Sequence, residues 1–163
     1  MNLYYDVLNS PIGKLYVIAN DDYIVRVELT EECFEKFKST ENDITKGSVL
    51  CMEAIKQLEE YFLGKRKMFD LPLSFEDQGT SFQREVWKAL LEIPYGEVKS
   101  YSDIALRVNN PAAVRAIGQA NRANRLPIFI PCHRVIGKNG KLVGYAGTRT
   151  DIKEILLKLE GVL

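Results

Sequence analysis

A chain of 163 residues that is 46% hydrophobic has room for one or two compact domains around a real core, which excludes a disordered chain. Its 22 Lys and Arg balance 22 Asp and Glu, arguing against a protein that coats nucleic acid indiscriminately, and no apolar run approaches a membrane span. The N-terminal MNLYYDVLNS has no basic stretch followed by an apolar one, and Cys33, Cys51 and Cys132 fit neither a disulfide framework nor a CxxC metal knuckle, so a soluble, cytoplasmic protein with free thiols is expected.

The segments YYDVL, KLYVIA and YIVRVEL are short and rich in β-branched and aromatic residues. Pro11, Gly13 and the Asn20-Asp21-Asp22 cluster punctuate them, predicting an antiparallel meander. From Val49 to Leu63, Ile55, Leu58, Tyr61 and Phe62 recur at helical spacing, and Gly64 follows as a stop. A small antiparallel sheet with a helix is therefore expected over residues 1–78. KRKMFDLPLSFEDQGT, residues 65–80, mixes charge with Pro72 and Gly79 and reads as a linker into a second domain, 79–163.

The second domain opens with a helix capped by Thr80 or Ser81, whose apolar stripe is Phe82, Val86, Trp87, Leu90 and Leu91. Ile93-Pro94-Tyr95-Gly96 ends it. Ser100 to Val108 predicts a further helix, capped by Ser100 or Ser102 and stopped by Asn109-Asn110-Pro111. Pro111 suits the first position of the next helix, AAVRAIGQANRAN, where Val114, Ile117 and Ala120 or Asn121 share one face. The two form a helix-turn-helix pattern, and the fold class is α+β, with a mainly helical C-terminal domain.

Ala112, Ala113, Ala116, Gly118, Ala120 and Ala123 make that last helix unusually lean, with Arg115 and Arg122 among them. Small side chains suit close packing against a neighbour; joined to guanidinium groups they also suit close approach to a sugar-phosphate backbone. Charge follows the same division. Residues 1–80 carry 9 Lys and Arg against 15 Asp and Glu, whereas 81–163 carry 13 against 7, so one face of the second domain is expected to meet a polyanion.

Ile128 to Ile130 reads as a short buried strand leading into Pro131-Cys132-His133-Arg134, where the chain's single histidine follows a cysteine. Adjacent residues on a strand face opposite ways, so direct pairing requires a turn at Pro131 or a bridging water. An unperturbed thiol is about 3% thiolate at pH 7, so ionisation alone raises reactivity only about thirty-fold. Alignment of the electrophile and stabilisation of the leaving group must supply the rest. No acidic residue lies between 104 and 150, leaving Glu154 and Glu160 as the downstream carboxylates able to orient His133.

Taken with FQREVWKALLEIPYGEVKSYSDIA from Phe82, RAIGQAN from Arg115, Asn124 and VGYAG from Val143, the stretch Ile130-Pro131-Cys132-His133-Arg134-Val135 resembles the O6-alkylguanine-DNA alkyltransferase family. The resemblance is dense from about residue 80 to 160. It implies that Cys132 accepts an alkyl group from O6 of guanine, with O4 of thymine a further candidate. His133 would be a water-mediated base, Glu160 its orienting carboxylate, Asn124 part of the network and Tyr101 a donor to N3 of guanine. The carbonyls of Cys132 and Val135 would accept from the guanine amino group, and a backbone N–H near Ala146 would serve O6. Val135, Tyr145, Ala146, Gly147 and Trp87 would line the pocket. Arg115 would fill the gap left by a flipped nucleotide, and Ala116, Gly118, Arg122 and Arg134 would join it and Tyr101 at the DNA.

The implied partner is duplex DNA containing O6-alkylguanine, bound through the minor groove by a monomer, with no cofactor and no membrane. Because the N-terminal domain has no histidine, no zinc or other metal is expected. A related class binds lesions without accepting the alkyl group, and Cys132 is the residue such proteins lack. A cysteine hydrolase would leave the helix-turn-helix and the basic half without a purpose. Two positions depart from the family pattern: Arg125 where proline often follows the asparagine, and Ala146 where serine is frequent.

Overall fold

The computed structural model describes residues 2–41, 43–137, 140 and 150–163. The chain divides into two compact units, Met1–Ser74 and Phe75–Leu163.

In the first unit β1 (Leu3–Ser10), β2 (Gly13–Ala19) and β3 (Ile24–Glu28) form the expected antiparallel meander. Gly13, at φ 102°, makes the first hairpin turn possible, and the Asn20 side chain accepts from the Asp22 and Tyr23 N–H groups to hold the second. A fourth strand, β4 (Ile44–Lys46), pairs parallel to β1 and gives the order β3-β2-β1-β4. Three residues are too short to display a period, so this strand left no legible trace in the sequence.

Strand β2 is buried from Leu15 to Ala19, as its unbroken apolar run requires, because helices cover both faces of the sheet. Tyr16 and Ile18 face α1 (Glu31–Thr40), where Phe34 stacks on Tyr16 at 4.3 Å. Helix α1, capped by Thr30, has only two aromatic anchors, Phe34 and Phe37, in a charged sequence and was not expected. Helix α2 (Val49–Phe62) begins where its apolar period begins; Ser48 caps it, and Cys51, Ala54, Leu58 and Tyr61 form its buried side. Gln57 then pins the following segment, accepting from the Asp70 N–H at 2.9 Å and donating to its carbonyl at 3.1 Å.

The second unit starts earlier than the composition of the linker suggests. Phe75 packs edge-on against Trp87 at 5.9 Å, and Arg84 donates to the Gln78 carbonyl, so residues 75–78 join the helical unit. Helix α3 (Ser81–Leu91) carries a full capping box between Thr80 and Gln83. The two-residue strand β5 (Lys99–Ser100) runs into α4 (Tyr101–Arg107), which has its own capping box between Ser100 and Asp103.

Pro111 does not start α5, which spans Val114–Ala123. Asn109 takes φ 59°, and the Ala113 N–H closes a turn onto the Asn110 carbonyl, placing Pro111 second in a tight turn. The fixed φ of proline serves that turn as readily as a helix start, which is why sequence alone misplaced it. Nor is 128–130 a strand. Ile128 adopts φ 76°, and the Ile130 N–H returns to the Leu126 carbonyl, making a compact buried loop. A β-branched residue at positive φ is strained, and burial of Leu126, Ile128, Phe129 and Ile130 holds it there.

Candidate active site

The loop 124–131 delivers a single 3₁₀ turn, Cys132–Arg134, to the interior of the second unit. Asn124 shapes that loop, accepting from the Leu126 N–H at 2.9 Å and donating to the Ile130 carbonyl at 3.0 Å. After the turn, β6 (Val135–Ile136) pairs in parallel with β5, so the start of α4, and with it Tyr101, is fixed beside the cysteine turn. Helix α6 (Thr150–Leu159) supplies the last wall.

Cys132 and His133 lie on a 3₁₀ turn, so the opposite-facing geometry of a strand does not apply to them. Both are buried, and the imidazole Nε2 meets Glu160 Oε2 at 2.7 Å. Of the two carboxylates left open by the sequence, Glu160 is therefore the partner; Glu154 lies exposed and pairs with Lys158. Glu160 also receives Arg134, with Nε to Oε1 at 2.8 Å and Nη2 to Oε2 at 3.1 Å. An ionised carboxylate held by a guanidinium accepts from the imidazole, so Nε2 carries the proton and Nδ1 is left as the acceptor nitrogen. Burial keeps the His133 pKa below its ordinary value; Glu160 opposes this, while the Arg134 and Lys153 cations reinforce it. The ring is thus biased toward its neutral form.

Burial also pushes the Cys132 thiol up to about 11, against the pull of the Asn124 amide and the Lys153 ammonium. The resting sulfur is a thiol. A group able to take up its proton would have to act before the sulfur could serve as a nucleophile.

Tyr101 is half-buried at the head of α4; desolvation first, then the facing Cys132, raise its pKa, while Arg122 and the Asn121 amide lower it. It stays a hydroxyl donor across the physiological range. Val135 is fully buried, and its N–H returns to the Cys132 carbonyl. Lys153 is fully buried on α6 with its ammonium 5.8 Å from the Tyr101 ring, and desolvation lowers its pKa to about 8. Sequence reasoning missed it, although the signal existed: Lys153, Leu156, Leu157 and Glu160 recur on one helical face, with a lysine inside an otherwise apolar stripe.

On α5, Arg115 and Arg122 are exposed, Ala116 and Gly118 are half-buried, and nothing lies within 4 Å of where a Gly118 Cβ would stand. The lean outer face of the helix is real. One expectation is corrected. Arg134 is not on a DNA-facing surface: it is buried, bound to Glu160 and donating through Nη1 to the Ile93 carbonyl at 2.7 Å. Its charge is spent inside the site. Trp87 is buried at 1% exposure, and its Nε1 donates to the Ala120 carbonyl at 2.8 Å, tying α3 to α5. Tyr145, Ala146 and Gly147 lie outside the described residues. Among the described residues no group of His, Cys, Asp and Glu is arranged to hold a metal, and no helix is long and apolar enough to cross a membrane.

Known proteins share this architecture throughout. Residues 81–162 match the 6-O-methylguanine DNA methyltransferase DNA binding domain, and residues 3–75 match the ribonuclease-like domain of the same proteins. The constitutive methylated-DNA--protein-cysteine methyltransferase of Bacillus subtilis is 51% identical over 160 residues, covering 98% of this chain and 96% of the relative. The Methanosarcina barkeri methylated-DNA--protein-cysteine methyltransferase is 47% identical over 158 residues, covering 97% of each. Among solved structures, Mycobacterium tuberculosis O6-methylguanine methyltransferase superposes with a TM-score of 0.86 at 40% identity, covering 97% of this chain and 92% of that one. The same organism's OGT in complex with DNA gives 0.84 at 40% identity, covering 96% and 92%. With a buried Cys132–His133–Glu160 site in the domain that these matches share, the chain belongs to the 6-O-methylguanine DNA methyltransferase family.

Proposed function

We propose that this DNA repair protein removes the alkyl group from O6 of guanine in duplex DNA by transferring it to the Cys132 sulfur, once per molecule. The observation that carries the reading is the buried contact of His133 with Glu160 on the same turn as a buried, free thiol.

Helix α5 approaches the minor groove with its lean face, and Arg115 fills the gap as the damaged nucleotide rotates into the site. The Cys132 proton passes through a water to His133 Nδ1, and Glu160 stabilises the imidazolium that results. A bond forms from Sγ to the alkyl carbon as the bond from that carbon to O6 breaks. The electron pair left on the purine is met by the Tyr101 hydroxyl at N3. Asn124 orients the thiolate. A thioether has no leaving group that water can displace, so the second half of ordinary covalent catalysis does not occur and no cofactor is consumed.

Duplex DNA with radiolabelled O6-methylguanine tests this directly. One label per protein should reach the Cys132 peptide, seen as a mass gain of about 14 Da for one CH₂. A Cys132→Ala variant should still bind the damaged duplex and accept nothing. An unmodified Cys132 peptide after saturation with substrate would defeat the reading.

A further inference from the structure

Lys153 lies on α6 at 0% exposure, on the buried face that also carries Leu156 and Leu157. Helix α6 packs against the turn that holds Cys132, and the ammonium stands 5.8 Å from the centre of the Tyr101 ring. The sulfur is in electrostatic reach of both groups: the Lys153 charge pulls on the thiol, and the sulfur acts on the Tyr101 hydroxyl. Cys132, Tyr101 and Lys153 therefore share one small buried region.

The buried charges of the second unit do not balance. Among the described residues they are Arg134, Lys153 and Glu160, two cations and one carboxylate. Arg134 takes both oxygens of Glu160, and His133 shares one of them. With Lys153 protonated, this interior carries one positive charge in excess, and desolvation of that ammonium lowers its pKa to about 8. A thiolate at Cys132 offsets the excess while the reaction lasts. Methyl transfer then turns the sulfur into a neutral thioether and removes that anion for good.

We infer that Lys153 is the counter-ion for transferred groups that end in a carboxylate, making it the residue by which this site favours a carboxymethyl group over an uncharged group of the same shape. The inference rests on the alkyl-transfer reading above. The bond from Sγ to the methylene carbon forms as the bond from that carbon to O6 breaks, and the carboxylate keeps its charge throughout. Two anions, thiolate and carboxylate, would otherwise repel each other as they close; the ammonium offsets that repulsion. The S-carboxymethyl product keeps beside the sulfur an anion that the methylated site lacks. Arg134 cannot serve instead, because its guanidinium is committed to Glu160 and the Ile93 carbonyl.

The experiment compares single-turnover transfer to the full chain from duplexes carrying O6-carboxymethylguanine and O6-carbamoylmethylguanine, which differ in charge but hardly in shape, with O6-methylguanine as the control. The ratio of carboxymethyl to carbamoylmethyl rates should fall about ten-fold or more from wild type to Lys153→Met, the worth of a close buried charge pair. Lys153→Arg, which keeps the charge, should retain part of the preference. In wild type itself at pH 7, the S-carboxymethyl product should melt about 2–4 °C above the S-carbamoylmethyl product. An unchanged rate ratio in Lys153→Met, or a carbamoylmethyl product at least as stable as the carboxymethyl one in wild type, would overturn the assignment while methyl transfer stands. Failure of all three duplexes to modify Cys132 would overturn both readings.

Discussion

Arg134 and Glu160 form a buried bidentate ion pair, and the Glu160 oxygen that receives Arg134 Nη2 at 3.1 Å is the one that meets His133 Nε2 at 2.7 Å. One carboxylate thus joins a buried cation to the imidazole. The guanidinium compensates most of the carboxylate charge, so Glu160 can orient the imidazole without driving it to the imidazolium form in the resting state.

Arg134→Met should destabilise the protein by about 3–5 kcal/mol, because it leaves a buried carboxylate uncompensated. Urea unfolding measures this. Arg134→Lys should recover only part of it, since an ammonium cannot reproduce the two-pronged contact. The salt dependence of DNA affinity should not change in Arg134→Lys, as Arg134 faces Glu160 and Ile93 and not phosphate. A flatter salt slope would return Arg134 to the DNA surface.

On the proposed reading, the cations that meet the duplex are the exposed Arg115, in the gap left by the flipped nucleotide, and the exposed Arg122. Each replaced by Ala should reduce the slope of log affinity against log salt by about one contact. Arg115→Ala should further slow transfer from duplex DNA while sparing reaction with the free base O6-benzylguanine, which needs no extrusion. Equal losses on both substrates would show that Arg115 acts on the pocket itself.

The thiol and ammonium pKa values set opposite pH dependences. Lys153 is lowered to about 8 in the folded protein from 10.5. The unfolded chain then binds more protons between those values, so native stability rises with pH across that window. Cys132, raised to about 11 from 9.0, loses stability between those values. Lys153→Met should remove the first effect: the variant gains up to about 3 kcal/mol relative to wild type below pH 8, and the gain fades as pH rises toward 10.5. Loss of the ammonium should also push the Cys132 pKa higher and slow methyl transfer near pH 7. Denaturant melts and single-turnover rates from pH 7 to 10 report both quantities; a stability difference independent of pH would show that Lys153 is not the group titrating.

Two glycines give contrasting outcomes. A Cβ at Gly79, at φ 65°, would stand 2.6 Å from both Gln83 Oε1 and Trp87 Cη2. Gly79→Ala should therefore cost about 1–3 kcal/mol through strain and overpacking beneath the α3 cap. Gly118 lies within α5 with open space above it, so Gly118→Ala should stabilise the protein by about 0.5–1 kcal/mol. The same methyl should weaken DNA binding if that face meets the groove. Thermal melting and equilibrium binding separate the two effects; unchanged affinity in Gly118→Ala would mean that the lean face serves another purpose.

Local chemistry was enough to place the meander, α2, α3, α4 and the lean α5, because each carries its own period and its own stop or cap signal within a few residues. It also placed Cys132 and His133 in one short motif, and the surrounding motifs were dense enough to identify the family. What the sequence left open depended on contacts between distant segments. Strand β4 exists only because β1 offers an edge, and α1 only because Tyr16 and Ile18 leave a face for Phe34. Ile128 reads as a strand residue by propensity, yet burial and the return of the Ile130 N–H to Leu126 hold it at positive φ.

The site shows the same division. Glu160 could not be told from Glu154 until α6 was set against the cysteine turn. Arg134, a surface cation by composition, became an interior one because a carboxylate 26 residues away was there to receive it. Sequence fixes which groups a chain owns and the local geometry they prefer; which of them meet, and whether each charge ends in water or against its opposite, is decided by packing, because desolvation is settled only when the second wall arrives.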